Sequence, residues 1–191
     1  MTVQVSLSVL TIMDRTRSSP FEAIVYPSQT CAGHASATTA CDLSSDGSMA
    51  LSADFLGVAR LWSIGTGDEI ATLDGHDGVV LSCSISKNGE FAATAGNDGT
   101  MCVWHVPSKA LRYRLRRPGR LRSTGCSFTP DSRTVVASFI AAGDKNVGGD
   151  IVLCSLDGIQ ATSIRGWTLS DLIPFQVVAS RRAFAVCVKS L

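Results

Sequence analysis

Short apolar runs alternate with tight polar clusters along most of this chain. The clusters Ser45-Asp46-Gly47, Lys87-Asn88-Gly89 and Pro130-Asp131-Ser132 each precede an apolar-rich run, at 49–53, 91–95 and 134–140. Runs of this length, parted by Gly, Asp and Asn turns, predict antiparallel strands joined as hairpins. Helical periodicity is weak, and no segment combines a cap with an amphipathic face. The expected fold class is all-β.

The pattern also repeats. Gly33-His34 recurs as Gly75-His76 and Trp62 as Trp104, each 42 residues later. Cys41, Cys83 and Cys126 are spaced by 42 and 43 residues. They open the matching segments Cys41-Asp42-Leu43-Ser44, Cys83-Ser84-Ile85-Ser86 and Cys126-Ser127-Phe128-Thr129. Cysteines on a fixed period are explained by repeated packing rather than by chemistry. Several short strands per unit at this period imply the blades of a propeller.

Gly75-His76, Gly96-Asn97-Asp98-Gly99-Thr100 and Val103-Trp104, in that order and spacing, resemble a WD40 repeat. The unit from Gly33 to Asp74, with Leu61-Trp62 and Gly65-Thr66-Gly67, is similar. The resemblance implies repeats at 33–74 and 75–117, a degenerate one at 118–166, and partial blades at 1–32 and 167–191. It further implies a buried network of His76, Thr94, Asp98 and Trp104, whose work is structural. In the first unit His34, Ser52 and Trp62 match, but Leu56 stands at the Asp position, with Asp54 two residues earlier as a substitute. The third unit has Pro118-Gly119 for Gly-His and Cys154 near the Trp position. Only the second unit is therefore expected to carry the full network, with the first and third blades softer.

A closed seven-bladed ring needs roughly 290 residues at this period, and the chain has 191. About four blade-equivalents predict an open arc of a larger propeller, or one completed by a second chain.

Composition narrows the function classes. Seventeen Lys and Arg against sixteen Asp and Glu leave a net charge of +1, which argues against binding by global charge. The hydrophobic share of 45% argues against disorder. No apolar run approaches a membrane span, and the N-terminus lacks a secretory signal. Seven cysteines without a C-x-x-C pair speak against a disulfide framework or a zinc site. Together these predict an intracellular protein, cytoplasmic or nuclear.

No catalytic or metal-binding constellation is present, and no cofactor is implied. The three histidines all fall at repeat positions. The expected role is a non-enzymatic scaffold that presents a loop face to a protein or peptide. By family geometry that face includes Asp54, Phe55, Asp77, Asn97, Arg120 and Arg122. Phe55 has two readings, an exposed anchor or a residue folded back over Leu56.

One charge run offers a rival. Lys109, Arg112, Arg114, Arg116, Arg117, Arg120 and Arg122 lie within fourteen residues that hold no acid. They form either a solvated outer strand or a basic groove for nucleic acid or anionic lipid, with Tyr113 as a stacking neighbour. Leu115-Arg116-Arg117 is similar to a phosphoinositide-binding motif of one propeller subfamily, interrupted here by Pro118. A truncated product of a larger WD-repeat protein is a third reading.

Overall fold

The computed structural model describes residues 3–6, 30–117, 121–141, 149–157, 160–167, 175–180 and 183–188. Sixteen strands and no helix occur among them. Three four-stranded antiparallel sheets follow one another in chain order. The first comprises β3 (Thr38–Leu43), β4 (Met49–Asp54), β5 (Val58–Ser63) and β6 (Glu69–Asp74). The second comprises β7 (Val80–Ile85), β8 (Phe91–Gly96), β9 (Thr100–His105) and β10 (Ala110–Arg116). The third comprises β11 (Leu121–Phe128), β12 (Thr134–Ala141), β13 (Gly149–Ser155) and β14 (Gln160–Trp167). Two-stranded sheets flank them: β1 (Val3–Ser6) with β2 (Thr30–His34), and β15 (Phe175–Ser180) with β16 (Ala183–Val188).

Each sheet is a meander, so every strand pairs with its sequence neighbour and the first and last strands are edges. Consecutive sheets meet through their leading strands: β3 and β4 pack on β7, β7 and β8 on β11, and β11 on β15. Among the described residues the sheets form an arc that does not close, because the two flanking two-stranded sheets remain separate.

Position in the stack sets the burial pattern. β4 and β8 have sheets on both faces, and five of the six residues in each are buried. Their sequences, MALSAD and FAATAG, are accordingly small and apolar rather than alternating. One core cluster joins Leu51, Leu61 and Leu73 of the first sheet to Val80, Ile85 and Trp104 of the second. Another joins Met101 and Val103 of the second to Phe128, Val135 and Phe139 of the third.

The leading-strand edges are stitched together by side chains. Asp42 Oδ2 accepts the Ile85 amide at 2.8 Å, and Ser82 Oγ accepts the Cys126 amide at 3.2 Å. Ser45 Oγ donates to the Lys87 carbonyl at 2.7 Å, and the Asn88 amide donates to Ser132 Oγ at 3.1 Å. Each bond satisfies a backbone group of a leading strand or of the turn after it that is otherwise left to water.

Candidate functional site: two buried networks beneath a loop face

The hairpin between β8 and β9 and the segment after β6 bring four side chains of the second repeat together. Trp104 Nε1 donates to Thr94 Oγ1 at 3.0 Å, and Thr94 Oγ1 lies 2.8 Å from His76 Nε2. His76 Nδ1 is 3.2 Å from both Asp98 carboxylate oxygens. Thr100 Oγ1 also lies 2.9 Å from His76 Nδ1 and 2.8 Å from Asp98. The order of donors follows from chemistry. An indole N–H only donates and a carboxylate only accepts. The Trp104 proton therefore goes to Thr94, and His76 carries a proton on Nδ1, directed at Asp98.

The first repeat has an equally complete network. Trp62 Nε1 donates to Ser52 Oγ at 2.7 Å, Ser52 Oγ lies 2.7 Å from His34 Nε2, and His34 Nδ1 is 2.9 Å from Asp54 Oδ2. This overturns the expectation that only the second repeat could hold one. The physical reason is a swap of positions. In the second repeat the strand position is Gly96, where a Cβ would lie 2.6 Å from His76 Nδ1 and 2.7 Å from Asp98 Oδ1. The carboxylate therefore reaches in from the turn. In the first repeat Asp54 occupies the strand position itself and reaches its histidine directly. Asp54 Oδ1 also accepts the Leu56 and Val58 amides at 2.9 and 3.0 Å. Asp98 accepts the equivalent Thr100 amide at 3.0 Å.

Asp54 consequently leaves the list of loop-face residues, since it is 1% exposed and its carboxylate is fully engaged. Leu56, relieved of the Asp role, points outward at 62% exposure.

His34 ends β2 and His76 follows β6, so each network ties the last strand of one sheet to the middle strands of the next. The glycine before each histidine is required by the tryptophan. A Cβ at Gly75 would lie 2.8 Å from Trp104 Cη2, and one at Gly33 would lie 3.0 Å from Trp62 Cη2.

The third repeat replaces the network wholesale. The register puts Ala137 opposite Cys126, where Thr94 faces Cys83 and Ser52 faces Cys41. Cys154 faces Val135, where Trp104 faces Ala92. Phe139 stands at the Asp54 position and is fully buried. Losing donors and acceptors together leaves no orphan to penalise the blade.

Ser52, His34 and Asp54 have the connectivity of a nucleophile–base–acid relay. Ser52 and His34 are fully buried, and Ser52 Oγ already accepts the indole proton. The arrangement braces the fold and offers no face to a substrate.

Above the networks lies a loop rim. Phe55 is 54% exposed, so it is not folded over Leu56. Gly57, at φ 89°, lies so close under the His76 and Gly78 carbonyls that a Cβ would be 2.7 and 2.9 Å from them. The Phe55–Leu56 turn thus abuts the 76–78 loop. Asp77 is exposed, and its amide donates to Asp98 Oδ2 at 3.0 Å. Asn97 is half-buried against Gly78, with its amide donating to the Val79 carbonyl at 2.9 Å. Arg122 is exposed on β11. Arg120 and positions 142–148 lie outside the described residues, as do Pro118 and Gly119.

The basic run splits by environment. Lys109, Arg112, Arg114 and Arg116 are exposed, whereas Arg117 is half-buried with Asp150 3.2 Å away. A concave channel of about 340 Å³ runs along the leading strands and is lined by Cys41, Cys83 and Cys126 among others. Desolvation pushes the Cys126 thiol up to about 12 and the Cys83 thiol well above its ordinary value.

Four-stranded meanders stacked in an arc, locked by His–Ser/Thr–Trp–Asp networks, define a β-propeller built from WD repeats. The family model described as "WD domain, G-beta repeat" matches residues 26–63 and 67–105, so this stretch of the chain carries two WD repeats. Among solved structures it is similar to the structure of U3-55K, with TM-score 0.61 and 18% identity, over 70% of this chain and 41% of that one. It is similar to the crystal structure of RRP9 WD40 repeats, with TM-score 0.61 and 18% identity, over 70% and 40%. The Myceliophteria thermophila Cps50 (Swd1) β-propeller domain gives TM-score 0.58 at 15% identity, over 69% and 40%. The chain thus spans about two-fifths of these structures' own lengths. No curated protein matches its sequence. WD40 repeats generally mediate protein–protein interaction. No helix among the described residues is long and apolar enough to cross a membrane.

Proposed function

We propose that this chain is a non-enzymatic interaction module that docks a protein or peptide partner on the loop rim of its first two full blades. The observation that carries this reading is the Phe55–Leu56 pair. Two large apolar side chains, 54% and 62% exposed, project from a turn whose base is locked by buried Asp54. An apolar anchor held rigidly in its outward position loses little entropy on binding, which is how a few residues come to dominate an interface. Asp77 and Asn97 extend the rim toward the second blade and supply polar contacts. Cys31, Cys41, Cys83, Cys102, Cys126 and Cys154 are free, which fits a reducing compartment.

A photo-crosslinking residue placed at position 55 tests this in cells. A discrete adduct with one partner is expected from position 55, and none from a control at Lys87 on the opposite end of the strands. The Phe55→Ser, Leu56→Ser variant should lose that partner while keeping the wild-type melt. An unchanged set of partners for that variant would refute the reading.

A further inference from the structure

The outer edge of the second sheet differs from that of the first. On β6 the exposed residues are Glu69, Thr72 and Asp74, and Glu69 pairs with Arg60 of the adjacent strand. On β10 Ala110, Leu111, Arg112, Arg114 and Arg116 are exposed, with half-buried Tyr113 and Leu115 between the arginines. Leu111 stands where the first sheet has Glu69 and is 41% exposed. No ion pair among the described residues involves Arg112, Arg114 or Arg116. Arg112 lies over the Tyr113 ring at 5.6 Å, and Arg114 donates to the Gly75 carbonyl. The exposed charges of β6 are acidic and those of β10 are basic, so the positive sign of β10 is a property of this blade.

Two further features accompany the charge. β10 is the last strand of its sheet, and its outer edge pairs with no described strand. A cavity of about 320 Å³ opens beside its first residues, lined by Phe91, His105, Ser108, Ala110, Leu111 and Arg112. The β10–β9 register shifts between Leu111 and Tyr113, a bulge of the kind that re-aims side chains at a strand edge.

We propose that β10 captures an extended acidic peptide by strand addition, with one apolar side chain of that peptide seated in the cavity beside Leu111. Alternate residues of a strand repeat every ~7 Å, so acidic side chains at alternate positions of an added strand fall in step with Arg114 and Arg116, with Arg112 beside them at the bulge. Main-chain bonds to the open edge supply affinity, and the cavity sets register. A phosphate chain would meet the charges but use neither the edge nor the apolar cavity.

The probe is a short fluorescein-labelled peptide that alternates Glu and Thr about one Leu, read by anisotropy on the full chain. Saturable binding is expected, weakened about tenfold or more by the double substitution Arg112→Glu, Arg116→Glu and by Leu111→Asp. Arg114 is left in place because it holds the Gly75 carbonyl. Each variant is checked for a wild-type melt. N-methylation of alternate peptide amides, which blocks a ladder without changing charge, should abolish binding. Three results would overturn the proposal: no binding, undiminished binding of the N-methylated peptide, or equal arginine-dependent binding of oligouridylate or phosphoinositide vesicles. The last two would make the strand a general polyanion surface.

Discussion

At the residue scale, two aspartates from non-equivalent positions serve equivalent histidines. Burial works against the charge of Asp98, but the Thr100 and Asp77 amides, the Thr100 hydroxyl and His76 outweigh it and hold the carboxyl below its ordinary range. A folded-state value below the unfolded one adds stability at pH above the unfolded value, about 3.9. That stability is lost as pH falls through the folded value. Unfolding midpoints measured from pH 6 downward should therefore drop in the acid limb, and Asp98→Asn should flatten that limb. An unchanged acid limb would show that Asp98 does not carry this linkage. The pairing of His76 with Asp98 was legible because the residues sit in the family's order. The pairing of His34 with Asp54 was legible only as a substitution, because Asp54 stands two residues before the family's Asp position. Its visible signal was reciprocal: Ser52-x-Asp54 where the next repeat reads Thr94-x-Gly96-x-Asp98.

At the element scale, the strands were readable from short apolar runs and turn residues, because a meander makes every pairing local. The stitching between sheets was not. Asp42 and Ser82 reach backbone groups 43 and 44 residues away, and nothing about a polar residue on a leading strand identifies such a partner. The turns also show where the repeat has drifted. Gly67 at φ 79° and Lys109 at φ 57° occupy equivalent turns, as do Gly47 and Gly89, at 71° and 72°, with Ser132 at 60°. A left-handed conformation costs a non-glycine residue roughly 1 kcal/mol. Lys109→Gly should accordingly stabilise the protein by about 0.5–1 kcal/mol in a denaturant melt. Ser132→Gly should gain less, because it also removes the hydroxyl that accepts the Asn88 amide. Equal gains from the two would mean that the Ser132 contact contributes nothing.

At the scale of the whole molecule, three four-stranded and two two-stranded sheets form an arc in which each blade borrows bonds from its neighbours. The periodic cysteines mark its concave side, where the channel leaves them in unequal surroundings: Cys41 is exposed, whereas Cys83 and Cys126 are buried. With thiols pushed far above neutral pH, Cys83 and Cys126 are almost free of thiolate. Iodoacetamide on the native protein at pH 8 should label Cys41 and spare both. Rapid labelling of Cys83 or Cys126 would mean that the leading strands separate. The third blade shows a different solution to the same packing problem, with Ala137, Phe139 and Cys154 filling apolar space where the others build polar networks. Its degeneracy was legible, but its packing was not, since the loss of donors says nothing about what replaces them.

The central claim is that two consecutive blades are each locked by a complete network, with Asp54 completing the first. The most direct test compares Asp54→Ala with Asp98→Ala in denaturant melts followed by tryptophan fluorescence. Removing the carboxylate leaves a buried imidazole N–H without its acceptor, which costs about 1–3 kcal/mol. Both variants should lose stability on that order, with Asp54→Ala, the more deeply buried, losing at least as much as Asp98→Ala. A near-wild-type melt for Asp54→Ala beside a large loss for Asp98→Ala would contradict the account and leave the first blade without its lock.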